Sequence, residues 1–172
     1  MSFVKAYENV SDSKTCVRLY QALPNKYDKI EYILQKGVEV GIREFIFFRP
    51  ERSQRLLVTA HKIERFQEIV REATEQCGGN LPPSVIFLED RMIVPENRQS
   101  YVLHTEEQGS KHIRDIDIKN SPINIFVGPE GGWSREEISF FEEKNIQKIH
   151  LGNRVLRTET TGPIVAFFLI QK

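Results

Sequence analysis

Apolar positions along the 172 residues fall into short continuous runs and longer helical stripes. The runs predict strands over Val17 to Ala22, Phe45 to Phe48, Ser84 to Leu88, Tyr101 to Leu103, Ile123 to Val127 and Lys148 to Leu151. Phe45-Ile-Phe-Phe48 and Ser84 to Leu88 are of the kind covered on both faces. Between the runs, Lys26 to Val40 carries Ile30, Ile33, Leu34 and Val38 near the helical repeat, with Gly41 placed as its stop. His61 to Cys77 turns Ile63, Phe66, Val70 and Ala73 inward and ends at Gly78-Gly79. Ser134 to Asn145 turns in Ile138 and Phe141, and Thr158 to Gln171 forms the last predicted helix. Strands alternating with helices predict an α/β domain built around a parallel sheet.

The remaining stretches are polar. Residues 1–16 read as a tail or linker remnant ahead of one domain at 17–172, and Glu89 to Ser100 as a connector. Glu107 to Asn120 is charged and reads as loop or a short helix. The last helix is different. Ile164, Val165, Ala166, Phe167, Phe168, Leu169 and Ile170 point in every direction around its axis, more than one sheet face can bury. It is either sandwiched within the domain or packed in part against a second subunit, and a homodimer through this helix is the expectation.

Composition narrows the class. Lysine plus arginine equals aspartate plus glutamate at 24 each, so the whole chain has no electrostatic bias toward nucleic acid or membrane. The two cysteines, Cys16 and Cys77, form no spaced cluster with the four histidines, which argues against a zinc site and for a reduced, cytoplasmic setting. No basic-then-apolar leader opens the sequence, and the run Ile164 to Ile170 is too short to span a bilayer. Positive charge gathers in one place, Arg49 to Arg71. There Arg49, Arg52 and Arg55 precede a helix whose charges are mixed. These three arginines are candidates for RNA-backbone contact, while a solvated helix face stitched by opposite charges is the commoner meaning of such a segment.

Two loops carry candidate chemistry. The strand Ile123 to Val127 runs into Gly128-Pro-Glu-Gly-Gly132, and the chain leaves through Ser134 and Glu137, spaced as a helix-opening capping box. Glycines there let a ligand approach the main chain. The spacing is neither a dinucleotide fingerprint nor a phosphate loop, and Glu130 would repel phosphate. The expected ligand is therefore uncharged or cationic at that point, as the sulfonium of S-adenosylmethionine is, unless the turn is purely structural. In the second loop Arg154, Arg157 and Glu159 crowd beside an apolar helix with Thr158, Thr160 and Thr161. Such charges must pair, Glu159 with Arg157 for example, or serve a ligand. Thr158 could also cap the helix.

The run Val127-Gly-Pro-Glu-Gly-Gly-Trp-Ser134 with Glu137, and the run Leu151-Gly-Asn-Arg-Val-Leu-Arg-Thr-Glu-Thr160, resemble the two signature stretches of the RsmE family, bacterial methyltransferases of uridine N3 in 16S ribosomal RNA. Gln21-Ala-Leu-Pro24, Ile33-Leu-Gln-Lys36 with Glu39 and Gly41, Glu51-Arg-Ser53, and Glu72-Ala73 with Glu75-Gln76 match as well. The resemblance implies the SPOUT class of fold: a parallel sheet flanked by helices with a C-terminal deep trefoil knot. It implies S-adenosyl-L-methionine as cofactor, 16S ribosomal RNA in the small subunit as substrate, and a homodimer. By position, Leu103, His104 and Thr105, then Val127, Gly128, Pro129, Glu130, Gly131 and Gly132, then Leu151, Gly152, Leu156, Thr158 and Thr160 are expected to hold the cofactor. Arg157 is expected to stabilise the uracil anion and Glu159 to receive or steer the proton, with Arg154 next in line. Family members also carry an N-terminal PUA-like barrel, for which residues 1–16 are too short, so a natural short form or an excised catalytic domain is expected. Gln76-Cys-Gly-Gly79 departs from the family by lacking an arginine at its end. The rival reading is a dimeric binding module without catalysis.

Overall fold

The computed structural model describes residues 15–53, 56–88, 98–105, 109–119 and 122–172. Its elements are β1 (Val17–Ala22), α1 (Tyr27–Glu39), β2 (Glu44–Phe48), α2 (Ala60–Cys77), β3 (Ser84–Phe87), β4 (Ser100–Leu103) and β5 (Lys111–His112). A single 3-10 turn at Ile113–Asp115 follows, then β6 (Ile123–Val127), α3 (Arg135–Glu143), β7 (Gln147–His150) and α4 (Thr158–Ile170). The strands form one seven-stranded sheet in the order β3-β2-β1-β6-β4-β7-β5. Every pairing is parallel.

Handedness explains which helix lies where. Right-handed crossovers that step the same way place their helices on the same face, and a step the opposite way places its helix on the other. The steps β1 to β2 and β2 to β3 put α1 and α2 together, and the reversed step β6 to β7 sends α3 across. Alternate side chains of each strand therefore feed two cores. Leu19, Ile125, Phe45 and Phe47 pack with Ile30, Ile33, Phe66 and Val70 of α1 and α2, and with Val165 and Leu169 of α4. Tyr20, Phe48, Val102 and Phe126 pack with Trp133 and Phe141 on the opposite face.

Local chemistry sets the helix ends. Thr59 caps α2 by accepting from the Lys62 amide, and Gly78, at φ 74°, takes the left-handed conformation that ends it. Ser134 and Glu137 form the complete capping box of α3. Three sequence expectations need correction. Ser84 to Leu88 is not covered on both faces, because β3 is the sheet edge and Ile86 is 39% exposed. Ile63 is half-buried, since the α2 stripe that meets the core runs through Phe66, Ile69, Val70 and Ala73. Within 107–120, two residues pair with β7 as strand β5. The last helix is covered on most sides by the sheet and α1, while Ile164 and Phe167 remain 45% and 54% exposed. Residues 1–14, most of the expected tail, and most of the 89–100 connector lie outside the described residues. Among the described residues no helix is long and apolar enough to cross a membrane.

Candidate functional site

The strand order brings distant loops together. Because β6 lies between β1 and β4, and β4 between β6 and β7, the loops leaving β6, β4 and β7 sit side by side at the carboxyl ends of the strands. That end of a parallel sheet is where α/β proteins place ligands. A cavity of about 470 Å³ opens there. Its lining includes Leu103, His104, Thr105, Val127, Gly128, Pro129, Glu130, Gly132, Leu151, Gly152, Leu156 and Thr158 of the expected cofactor set. Arg154, Arg157 and Glu159 line it too. Gly131 and Thr160 do not: Gly131 lies against Arg52, and the Thr160 amide turns back to the Arg157 carbonyl. Lys29, Trp133, Asn153, Val155 and Thr161 complete the lining and were not among the sequence candidates.

The two motif loops are tied at the cavity floor. Buried Gln21 donates from Nε2 to Thr158 Oγ1 at 2.8 Å, and Thr158 Oγ1 donates to the Gly128 carbonyl oxygen at 2.7 Å. Thr158 is thus a connector between strand, loop and helix. It does not cap α4, whose N-cap position is Arg157 with no side-chain cap bond. Gly128 is needed for space: a Cβ there would sit 2.9 Å from Trp133 Cε2. Trp133 packs under the loop, donates from Nε1 to the Leu103 carbonyl at 2.9 Å, and stacks on Phe48 with Phe141 at its edge. Gly132 supplies the positive φ, 70°, that turns the chain toward Trp133.

Glu137 extends the brace. Besides its capping bonds, its Oε1 accepts from the Glu51 amide at 2.9 Å, and Arg52 Nη1 donates to the Gly131 carbonyl at 3.4 Å. Of the expected RNA-contact arginines, Arg52 therefore borders the first motif. Arg49 and Arg52 are exposed, with Arg49 Nη2 donating to the Leu56 carbonyl, and Arg55 lies outside the described residues.

Charge in the cavity is arranged in two zones. Glu130 Oε1 accepts from Lys29 Nζ at 2.6 Å, and Glu159 Oε2 lies 3.9 Å from the same ammonium. Burial pushes the Glu130 carboxyl up, but the Lys29 ammonium and the backbone amides of Glu130 and Asn25 outweigh it, holding the group below the usual glutamate value. Glu159 pairs with Lys29 and not, among the described residues, with Arg157 as the sequence suggested. Arg154 and Arg157 stay exposed at the mouth. The arrangement suits a ligand that is cationic on one side and meets an anion on the other.

Comparison with known proteins agrees with this geometry. The sequence model for the RNA methyltransferase domain matches residues 11–171. The chain belongs to the RNA methyltransferase domain family. Among this family's relatives, the Ribosomal RNA small subunit methyltransferase E of Bacillus subtilis is 33% identical over 90% of the chain, which spans 64% of that relative's length. A solved Ribosomal RNA small subunit methyltransferase E from Neisseria gonorrhoeae, bound to S-adenosyl methionine, superimposes with a TM-score of 0.80 at 32% identity, over 93% of this chain and 67% of that one. The Aquifex aeolicus TrmH/SpoU tRNA modifying enzyme, 11% identical, shares the fold, with a TM-score of 0.60 over 94% of this chain and 77% of that one. The RsmE resemblance of the two motifs thus holds across nearly the whole RNA methyltransferase domain.

Proposed function

We propose that this chain is an S-adenosylmethionine-dependent methyltransferase acting on N3 of a uridine in 16S ribosomal RNA of the small ribosomal subunit. The observation that carries the reading is the convergence of both motif loops on one cavity with an acidic wall and an arginine mouth. The cavity volume falls in the range of small-molecule sites. The acidic wall fits a sulfonium, and the names of the Bacillus subtilis and Neisseria gonorrhoeae relatives support ribosomal RNA as acceptor.

S-adenosylmethionine, when bound, supplies an electrophilic methyl carbon. Val127, Gly128, Pro129, Gly132, Leu151, Gly152, Leu156 and Thr158 would hold it with Leu103, His104 and Thr105, through exposed backbone groups and apolar walls. Uridine N3 must shed its proton as it attacks. Arg157 stabilises the negative charge that spreads onto the uracil oxygens, Glu159 receives the proton or orients that arginine, and Arg154 contacts the base or its phosphate. Arg52, against the first motif, and exposed Arg49 extend the contact along the RNA backbone. The target uridine enters unpaired or flipped from its stack. In this reading the chain works in the cytoplasm as a homodimer through α4, and its C-terminal path forms the deep trefoil knot of SPOUT folds.

Methyl transfer to small ribosomal subunits that lack the modification, followed by mass mapping, tests the reading. One methyl on N3 of a single uridine is expected. Tight S-adenosylmethionine binding with no transfer, also after fusion to the remaining segment of a longer relative, would instead establish a binding module.

A further inference from the structure

Lys29 lies outside both motifs yet touches each. It sits in the first turns of α1, next to Ile30, which is fully buried, so the helix that carries its stem is fixed to the core. Its ammonium meets Glu130 of the first motif at 2.6 Å and Glu159 of the second at 3.9 Å. All three side chains line the cavity. Two carboxylates against one ammonium leave this wall with one excess negative charge. Glu159 Oε2 is buried without a hydrogen-bond partner, its nearest cation the Lys29 ammonium at 3.9 Å, so among the described residues nothing but that one ammonium offsets the two carboxylates on this side of the cavity.

The size of that excess matters to a methyl transferase. As the methyl carbon passes from sulfur to N3, the bond to sulfur breaks, its electron pair stays on sulfur, and the positive charge disappears. A wall that is too negative holds the charged donor more tightly than the transition state, and ground-state binding of that kind slows the chemical step. We propose that Lys29 is a specificity-determining residue that limits the cavity's preference for the cationic donor over its neutral demethylated product. This rests on S-adenosylmethionine being the occupant. One ammonium removes one of the two units of charge that Glu130 and Glu159 would otherwise present.

Calorimetry at pH 8.5 with S-adenosylmethionine and S-adenosylhomocysteine tests the idea through the ratio of the two affinities. Lys29→Met should raise the donor-to-product ratio roughly three- to tenfold, the scale of one unit charge several ångströms away in a partly wet site. It should also lower kcat while lowering KM for the donor. Lys29→Arg should keep the native ratio. Glu130→Gln should lower the ratio by a similar factor, and Lys29→Met combined with Glu130→Gln should restore it, because the net charge of the wall returns to its native value. Equal weakening of both ligands in every variant, with the ratio constant, would reduce Lys29 to a brace and overturn the proposal. Failure of the unaltered protein to bind either ligand would overturn the cofactor reading itself, and the proposal with it.

Discussion

The Thr158 hydroxyl donates to the Gly128 carbonyl oxygen at 2.7 Å while accepting from Gln21, so one side chain joins β1, the loop after β6 and the start of α4. Thr158→Val keeps the shape and removes both bonds. Two buried polar groups then lose a partner, and the expected loss of stability is about 2 kcal/mol. Urea denaturation should show it as a lower midpoint with an unchanged slope.

Gly128 and Trp133 provide a reporter of the same loop. Gly128→Ala places a methyl 2.9 Å from the indole, which must move away from the Leu103 carbonyl. Trp133 is the chain's single tryptophan and is 9% exposed. The variant should red-shift the fluorescence and weaken S-adenosylmethionine binding by about tenfold, the equivalent of roughly one hydrogen bond.

Arg157 is exposed at the cavity mouth, and no bond holds its guanidinium in place among the described residues. Arg157→Ala should therefore fold normally and bind the methyl donor as before. Its single-turnover rate on saturating ribosomal subunits should fall by about a hundredfold, as when one oxyanion donor is removed. An unchanged rate would take the anion-stabilising role away from Arg157.

Glu130 makes part of the stability depend on pH. Its folded pKa is depressed below the ordinary 4.5, so the pair with Lys29 stabilises the native state above that value. The contribution fades as pH falls through the folded value. The stability difference between the native protein and Glu130→Gln should be constant above about pH 5.5 and shrink steadily below the usual glutamate range. Urea midpoints measured from pH 3 to 7 read this directly.

Ile164 and Phe167 lie one helical turn apart on the uncovered side of α4. Replacing both with glutamate should leave the monomer fold intact and shift the sedimenting species to the 20.0 kDa of one chain. A native protein already at that mass would remove the dimer from the reading.

Local signals in the sequence located most of this structure. Ser134 and Glu137 announced the start of α3, Gly78 the end of α2, and the Gly-Pro-Glu-Gly-Gly turn the cavity loop, because each depends on neighbours a few residues away. The strand β5 was hidden since two residues carry no period, and β3 was misjudged because an apolar run says nothing about which strand closes the sheet. Trp133 stood in view within the first motif and lacked only the knowledge that it lies beneath Gly128. Lys29 was different. On its own helix it is one more polar residue, and its partners Glu130 and Glu159 reach it only through the order of the strands. The ammonium offsets Glu130, so what disfavours phosphate on this wall is the one negative charge left once Glu159 is added, not Glu130 alone.

The placement of β6 between β1 and β4 has a consequence for how the protein is made. Val17 must wait for Ile123 before its strand gains its second neighbour, whereas β2 joins β1 and β3 joins β2 through shorter connections. Non-local pairing comes late because the closure entropy of the long loop precedes any reward. On the ribosome the first three strands can assemble early, with the inner edge of β1 open and ready to pair with other chains. The cavity, which needs β6, β7 and α4 together, then forms last. A slow codon run or a premature stop between β3 and β6 would leave an adhesive half-sheet rather than a weakly active enzyme.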